Sequence, residues 1–221
     1  MVNRPRPWIS AAGDVTLTIM RTVRLITAAL ALAGIVLIAA GPAELLDLLP
    51  YFTIQSSLLY GGYVAWTSRR AGTATDPIVK GAVTLYVTIT GLVYHLVLTN
   101  PHSGFAVPAL HRVLVDEIGT QLLHTVVPLL AVLDWLVFDD RRRFRLRYAV
   151  YWLAYPLAYL AFALIRGAIV HKYPYPFLDV GELGYAGVTI TALVFAVAFW
   201  LLGLVFVLID RVGGRVRLRR R

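Results

Sequence analysis

Six apolar runs, each close to the length a helix needs to cross a bilayer, dictate what this chain can become. At a rise of about 1.5 Å per residue, about 20 apolar residues span the hydrocarbon of a membrane. The runs cover 23–40, 51–67, 78–98, 115–138, 148–170 and 185–209 of the 221 residues. A mean hydropathy of +0.72 and a charged fraction of only 15% agree with them. Together they predict an all-α polytopic membrane protein, a bundle of six transmembrane helices forming a single domain over 1–221. Gly41 and Pro42 stop the first run, and 43–49 reads as a short interfacial turn ahead of Pro50, or as an early start to the second helix kinked at that proline. No small-residue cleavage site follows a short apolar core near the N-terminus, so the first helix is expected to remain as an anchor.

The net charge of +9 is not scattered. One set of helix ends carries Arg4, Arg6, Arg21, Arg24, Arg69, Arg70, Lys80, Arg141, Arg142, Arg143, Arg145, Arg147 and the Arg-rich tail from Arg211. The other set has only Arg112, Arg166 and Lys172 as cations, beside Glu44, Asp47, Asp116, Glu117, Asp179 and Glu182. The positive-inside rule then predicts both termini in the cytoplasm. Juxtamembrane arginines gain about 1 kcal/mol each beside an anionic leaflet, so the tail is expected to meet anionic lipids of the bilayer and not nucleic acid. The near-exclusive use of Arg over Lys suggests a GC-rich bacterial genome, hence a bacterial cytoplasmic membrane. With no cysteine, disulfides, thiol catalysis and thiolate metal sites are excluded.

Polar side chains inside apolar runs must face other helices or a wet cavity, because unpaired polar groups cost several kcal/mol in hydrocarbon. At 3.6 residues per turn, Thr53, Ser56, Ser57 and Tyr60 share a face of the second run, with Gln55 beside them, and Thr84, Thr88, Gly91 and His95 share one of the third. Glu117, Thr120, Gln121, His124 and Pro128 form a wedge on the fourth. Tyr148, Trp152, Tyr155, Tyr159, Phe162 and Arg166 form an aromatic stripe on the fifth, where Pro156 is placed to bend the helix. Helix direction puts Thr53, His95, His124 and Arg166 in the same outer half of the membrane. Ser56 and Ser57 are expected to knit helices together, His95 to pack, Arg166 to snorkel or pair with Asp179 or Glu182, and Asp134 to join a structural ion pair near Asp139 and Arg141. An ionisable group as deep as His124 is a functional candidate.

Three short motifs, Tyr51-Phe-Thr-Ile-Gln-Ser56, His124-Thr-Val-Val-Pro128 and Tyr175-Pro-Phe-Leu178, stand in the order and at the spacing found in the androgen-induced-protein family of multispan membrane proteins. From the second helix through the sixth the chain resembles the six-span bacterial branch of that family. The animal members are threonine hydrolases that cleave fatty-acid esters of hydroxy fatty acids. The resemblance implies Thr53 as nucleophile and His124 as catalytic base, without a cofactor or metal. The loop between the third and fourth helices departs from the family pattern, as does Glu117-Ile-Gly-Thr-Gln-Leu-Leu123 ahead of the histidine.

A threonine hydroxyl is a weak nucleophile until a base such as histidine takes its proton. Around such a pair, Gln55, Gln121 or Asn100 is expected to donate to the oxyanion and Glu117 or Gln121 to orient the imidazole. Tyr159 and its aromatic neighbours would line the acyl site, and Arg166 would meet a carboxylate at the rim. Two other classes compete. His95 and His124, with Asp116 or Glu117, could ligate haem or zinc, and the polar cluster could belong to a non-enzymatic lipid carrier.

Overall fold

The computed structural model describes residues 7–41, 45–69, 75–107 and 113–212. Arg4, Arg6, Pro42, Glu44, Arg70, His111, Arg112 and the tail beyond 212 lie outside the described residues. Those described form helices α1 (Pro7–Ala39), α2 (Leu45–Leu48), α3 (Phe52–Ser68), α4 (Pro77–Val93), α5 (Leu114–Gln121), α6 (Val127–Phe138), α7 (Leu146–Tyr151), α8 (Ala154–Val170) and α9 (Val180–Val212), and no strand is found among them. Five helical stretches are long and apolar enough to cross a membrane, namely Gly13–Ala39, Pro77–Leu98, Leu114–Phe138, Leu146–Val170 and Val180–Val212. This is the architecture of a multi-pass membrane protein. α3, expected as a further span, is a shorter helix of 17 residues.

Local chemistry explains most boundaries. Asp76 caps α4, its Oδ1 accepting from the N–H groups of Ile78 at 2.8 Å and Val79 at 3.2 Å, with Pro77 at the first position where its missing N–H costs nothing. The interfacial turn expected before Pro50 is the single turn α2. The fifth apolar run is not one continuous helix: Trp152 and Leu153 form a turn between α7 and α8. Pro156 lacks the N–H that would bond the Trp152 carbonyl, which accounts for the interruption of the helix there. In α9, Gly184 has φ +66° and breaks the first turn from the long helix that follows.

α1 packs against α3, α5 and α6, α3 against α4, and α4 against α6. α7, α8 and α9 lie on the α4 side of this group. Three apolar cores result among the described residues, one around Tyr60, Val64, Val87, Val127 and Ala131, one around Phe52, Tyr86, Trp135, Trp152, Phe177 and Phe206, and a smaller one of Ile35, Leu48, Ile54 and Leu123. Gly91 lets α4 and α6 touch: a Cβ there would stand 2.9 Å from the His124 carbonyl oxygen and 3.3 Å from Pro128.

At the end of the bundle away from Thr53, charge is buried. Arg24 (0% exposed) and Lys80 (1%) turn inward onto Asp134 (1%) and Asp139. Arg24 Nε donates to Asp134 Oδ1 at 2.9 Å and Nη2 to Asp139 Oδ1 at 3.1 Å. Lys80 Nζ bonds Asp134 Oδ2 and lies 3.7 Å from Asp139 Oδ2, with Thr75 Oγ1 donating to Asp139 Oδ1 at 2.9 Å. Two cations meet two anions, so the cluster is neutral and joins α1, α4 and α6. Asp134 is thus a structural ion-pair member beside Asp139, as its position led one to expect, with Arg24 and Lys80 as its partners. The loop from 139 to 145 is anchored instead through Asp210, whose Oδ2 accepts from Phe144 N at 2.8 Å and whose carbonyl accepts from Arg142 N at 3.0 Å.

Candidate active site

Thr53 is the second residue of α3, and the segment ahead of it is held from several sides. Tyr159 on α8 donates to the Pro50 carbonyl at 2.8 Å. Phe52 sits among Tyr86, Tyr155 and Tyr159, at centroid distances of 6.4, 5.2 and 5.1 Å. This fixes both the entry and the rotation of α3, and leaves Thr53 only 7% exposed.

His124 lies in a π-helical turn, Leu122–Val126, between α5 and α6. Such turns shift the hydrogen-bond register by one residue and recur at functional sites; a second, Tyr94–Leu98, continues α4 and carries His95. The imidazole stacks on Tyr94 at 4.2 Å with an interplanar angle of 28°. Its Nδ1 lies 2.9 Å from the Thr120 carbonyl oxygen, and its Nε2 lies 3.2 Å from Thr53 Oγ1. A carbonyl oxygen only accepts, so this contact assigns the proton to Nδ1 and leaves the Nε2 lone pair facing the threonine hydroxyl. The arrangement is that of an oriented base on a weak nucleophile.

The pair stands at one end of a cavity of about 90 Å³ between α4, α8 and α9. Apart from Thr53, Thr90, His124, Tyr159 and Tyr175, its walls are apolar, among them Ile89, Val93, Leu157, Leu160, Ala196 and Phe199. Leu157 is 51% exposed on the outside of α8, and the lining residues of α9 are half-buried, so the cavity adjoins the outer surface of the bundle. From Ala192 to Phe199 it follows α9 for about 10 Å at the helical rise.

The segment between α8 and α9 closes the Thr53 end. His171 ends α8 in the left-handed conformation at φ +53°. The Tyr173 ring then packs where Gly167 has no side chain, a Cβ there lying 2.0 Å from the ring. Pro176 opens a 3-10 turn, and Tyr175 is left over the site. Its Oη lies 3.4 Å from Thr53 N and 3.5 Å from Thr53 Oγ1. Sequence reasoning noted the Tyr175-Pro-Phe-Leu178 motif but gave its tyrosine no role, because helical phase says nothing about a loop that folds back.

The remaining expected residues are placed as follows. Gln55 turns away from Thr53; its Nε2 donates to the Leu49 carbonyl at 2.9 Å and its Oε1 accepts from Tyr155 at 3.1 Å. Asn100 donates to the Leu96 carbonyl. Gln121 takes part in a chain on another face, with Gln121 Nε2 to Glu117 Oε1 at 3.0 Å, Thr125 Oγ1 to Gln121 Oε1 at 2.9 Å, and His95 Nε2 to Thr125 Oγ1 at 2.9 Å. The three expected oxyanion donors are therefore engaged elsewhere, and the Thr120 carbonyl holds the imidazole Nδ1. Arg166 donates to the Lys172 carbonyl at 3.1 Å, and no ion pair to Asp179 or Glu182 is found among the described residues. Ser56 bonds Thr90 at 3.0 Å between α3 and α4. No group of three or more His, Asp and Glu side chains comes together among the described residues.

Compared with family models, with curated proteins and with solved structures, the chain returns no match.

Proposed function

We propose that this protein is an intramembrane threonine hydrolase of lipid carboxylic esters, with Thr53 as nucleophile and His124 as general base. The observation that carries the reading is the Thr53 hydroxyl on His124 Nε2, with Nδ1 held by the Thr120 carbonyl, at the end of an apolar cavity. The resemblance to the androgen-induced-protein family points to the same pair, and to fatty-acid esters of hydroxy fatty acids as the substrate type.

As Thr53 Oγ1 attacks the ester carbonyl carbon, its proton passes to Nε2 and the carbonyl π pair moves onto oxygen. Collapse of the tetrahedral species expels the alkoxide, which takes that proton and leaves as the alcohol. The acyl group now sits on Thr53. Water attacks it, losing a proton to Nε2, and the threonine departs and regains that proton while the carboxylic acid is released. Neutral, Nδ1-protonated imidazole is the form required to begin each half.

The acyl chain is assigned to the cavity between α4, α8 and α9. In purified protein, esters of long-chain fatty acids are expected to be cleaved to acid and alcohol. Ala196→Trp fills the cavity and is expected to lower the kcat/KM ratio of long-chain to acetyl ester at least about 10-fold. Stoichiometric lipid binding without any product would replace this reading with that of a carrier.

We further infer six spans, α3 being the short one, with the arginine-bearing ends and both termini on the cytoplasmic side of a bacterial membrane and the Thr53–His124 site in the outer half. The chain has no cysteine, so one introduced thiol is the only one. In intact cells His102→Cys is expected to react with a membrane-impermeant maleimide and Arg145→Cys to react only after lysis. The reverse pattern would invert the topology.

A further inference from the structure

We propose that the Tyr175 hydroxyl and the Thr53 backbone N–H form the oxyanion hole of this site. The inference rests on the Thr53–His124 reading and assigns the group that reading lacks, a donor aimed at the charge that develops on the carbonyl oxygen.

Two contacts place the phenol. Its oxygen lies 3.4 Å from Thr53 N and 3.5 Å from Thr53 Oγ1. Because Thr53 is the second residue of α3, its N–H has no acceptor within its own helix; the phenol oxygen occupies it at rest. The Thr53 hydroxyl proton points to His124, so the phenol proton is not needed there. When an ester carbon bonds to Oγ1, its carbonyl oxygen stands two bonds from Oγ1, one beyond that carbon. A phenol 3.5 Å from Oγ1 can then come within the about 2.7–3.1 Å required of an oxyanion donor. The N–H released by the phenol supplies the second bond, and the positive end of the α3 dipole lies on the same side. No proton leaves Tyr175. The carbonyl pair becomes the oxyanion, receives two hydrogen bonds, and returns to the carbonyl when the alkoxide is expelled and protonated by His124.

The ring is held for this task. Phe177 stacks on it at 5.0 Å and 5°, and Tyr51 meets it edge-on at 5.6 Å and 88°. Pre-positioned donors cost no reorganisation as the charge develops. The groups facing the phenol are Thr53, Tyr51 and Tyr159, with His124 across Thr53 and Tyr155 further out. Burial pushes the Tyr175 phenol up to about 12, against the lowering effect of its Thr53 hydrogen bonds, so it stays a neutral donor through the ordinary pH range.

Tyr175→Phe keeps the ring and removes only the donor. In the purified full-length protein, with a p-nitrophenyl ester of a medium-chain fatty acid, kcat is expected to fall about 100-fold or more while KM stays within about two-fold. A kcat within about three-fold of wild type would overturn the assignment and leave Thr53 and His124 standing, whereas an inactive wild type would remove both readings. A loss confined to KM would also overturn it, assigning the ring to packing. Incorporation of 3,5-difluorotyrosine at 175, which acidifies the phenol, gives the second readout. The alkaline limb of the kcat profile is expected to move to lower pH, because the phenolate cannot donate and repels the oxyanion. An unmoved limb would contradict the proposal even if the phenylalanine variant fails to fold.

Discussion

Replacing Thr53 or His124 by alanine is expected to lower ester turnover by about 10⁴-fold or more, with either replacement costing nearly as much as both together. The two groups act as one unit. Without His124 the hydroxyl keeps its proton at neutral pH, and without Thr53 the base has no nucleophile within reach. The double variant is therefore the sharpest form of the test, since independent contributions would multiply and a shared step would not. Both side chains sit at the edge of the cavity, and removing either leaves the packing of Phe52, Tyr86 and Tyr159 in place. The variants are expected to remain monodisperse in detergent, and retention of full turnover by either one would end the assignment.

The second large effect is expected far from the site. Asp134→Asn leaves Arg24 and Lys80, both at most 1% exposed, facing a single carboxylate on Asp139. Breaking a buried ion pair by removing one partner costs about 3–5 kcal/mol, most of it the uncompensated charge that remains. The result to measure is thermal unfolding in detergent, where a large drop in Tm is expected for Asp134→Asn. The charge-balanced double change Lys80→Met with Asp134→Asn removes one cation together with one anion, and is expected to recover much of that loss. Equal loss in both variants would show that the shape of the cluster, and not its charge balance, holds α1, α4 and α6 together.

Much of the helix layout was legible because apolar runs bounded by Gly, Pro and Arg carry their own limits. The long helices at 78–98, 115–138 and 185–209 were legible for this reason. The break at Trp152 and Leu153 was legible only in part: Pro156 signalled a bend, and the turn falls at the residues whose carbonyls it leaves without a donor or faces. Helix direction put Thr53, His95, His124 and Arg166 in one half of the membrane, and the family resemblance singled out Thr53 and His124 among them. The pairing in detail was not available, because it depends on a π-helical turn that no residue pattern announces and on Gly91 letting α4 approach the His124 carbonyl. The burial of Arg24 and Lys80 was not legible among the basic helix ends. Cations near helix ends usually extend toward water, and only the facing Asp134 and Asp139 make burial tolerable. Gln55, Gln121 and Asn100 were chosen as donors by depth, which ignores the local acceptors that each one satisfies. Tyr175 reaches Thr53 across a loop, and sequence periodicity carries no information about that.

The proposed nucleophile is the Thr53 hydroxyl, activated by His124. The most direct measurement is to treat the purified protein with a lipid-tailed fluorophosphonate and map the adduct by mass spectrometry. A single phosphonylated residue is expected, Thr53, with labelling lost in His124→Ala. An adduct on Ser56 or Ser57, or labelling of Thr53 at an undiminished rate without His124, would contradict it.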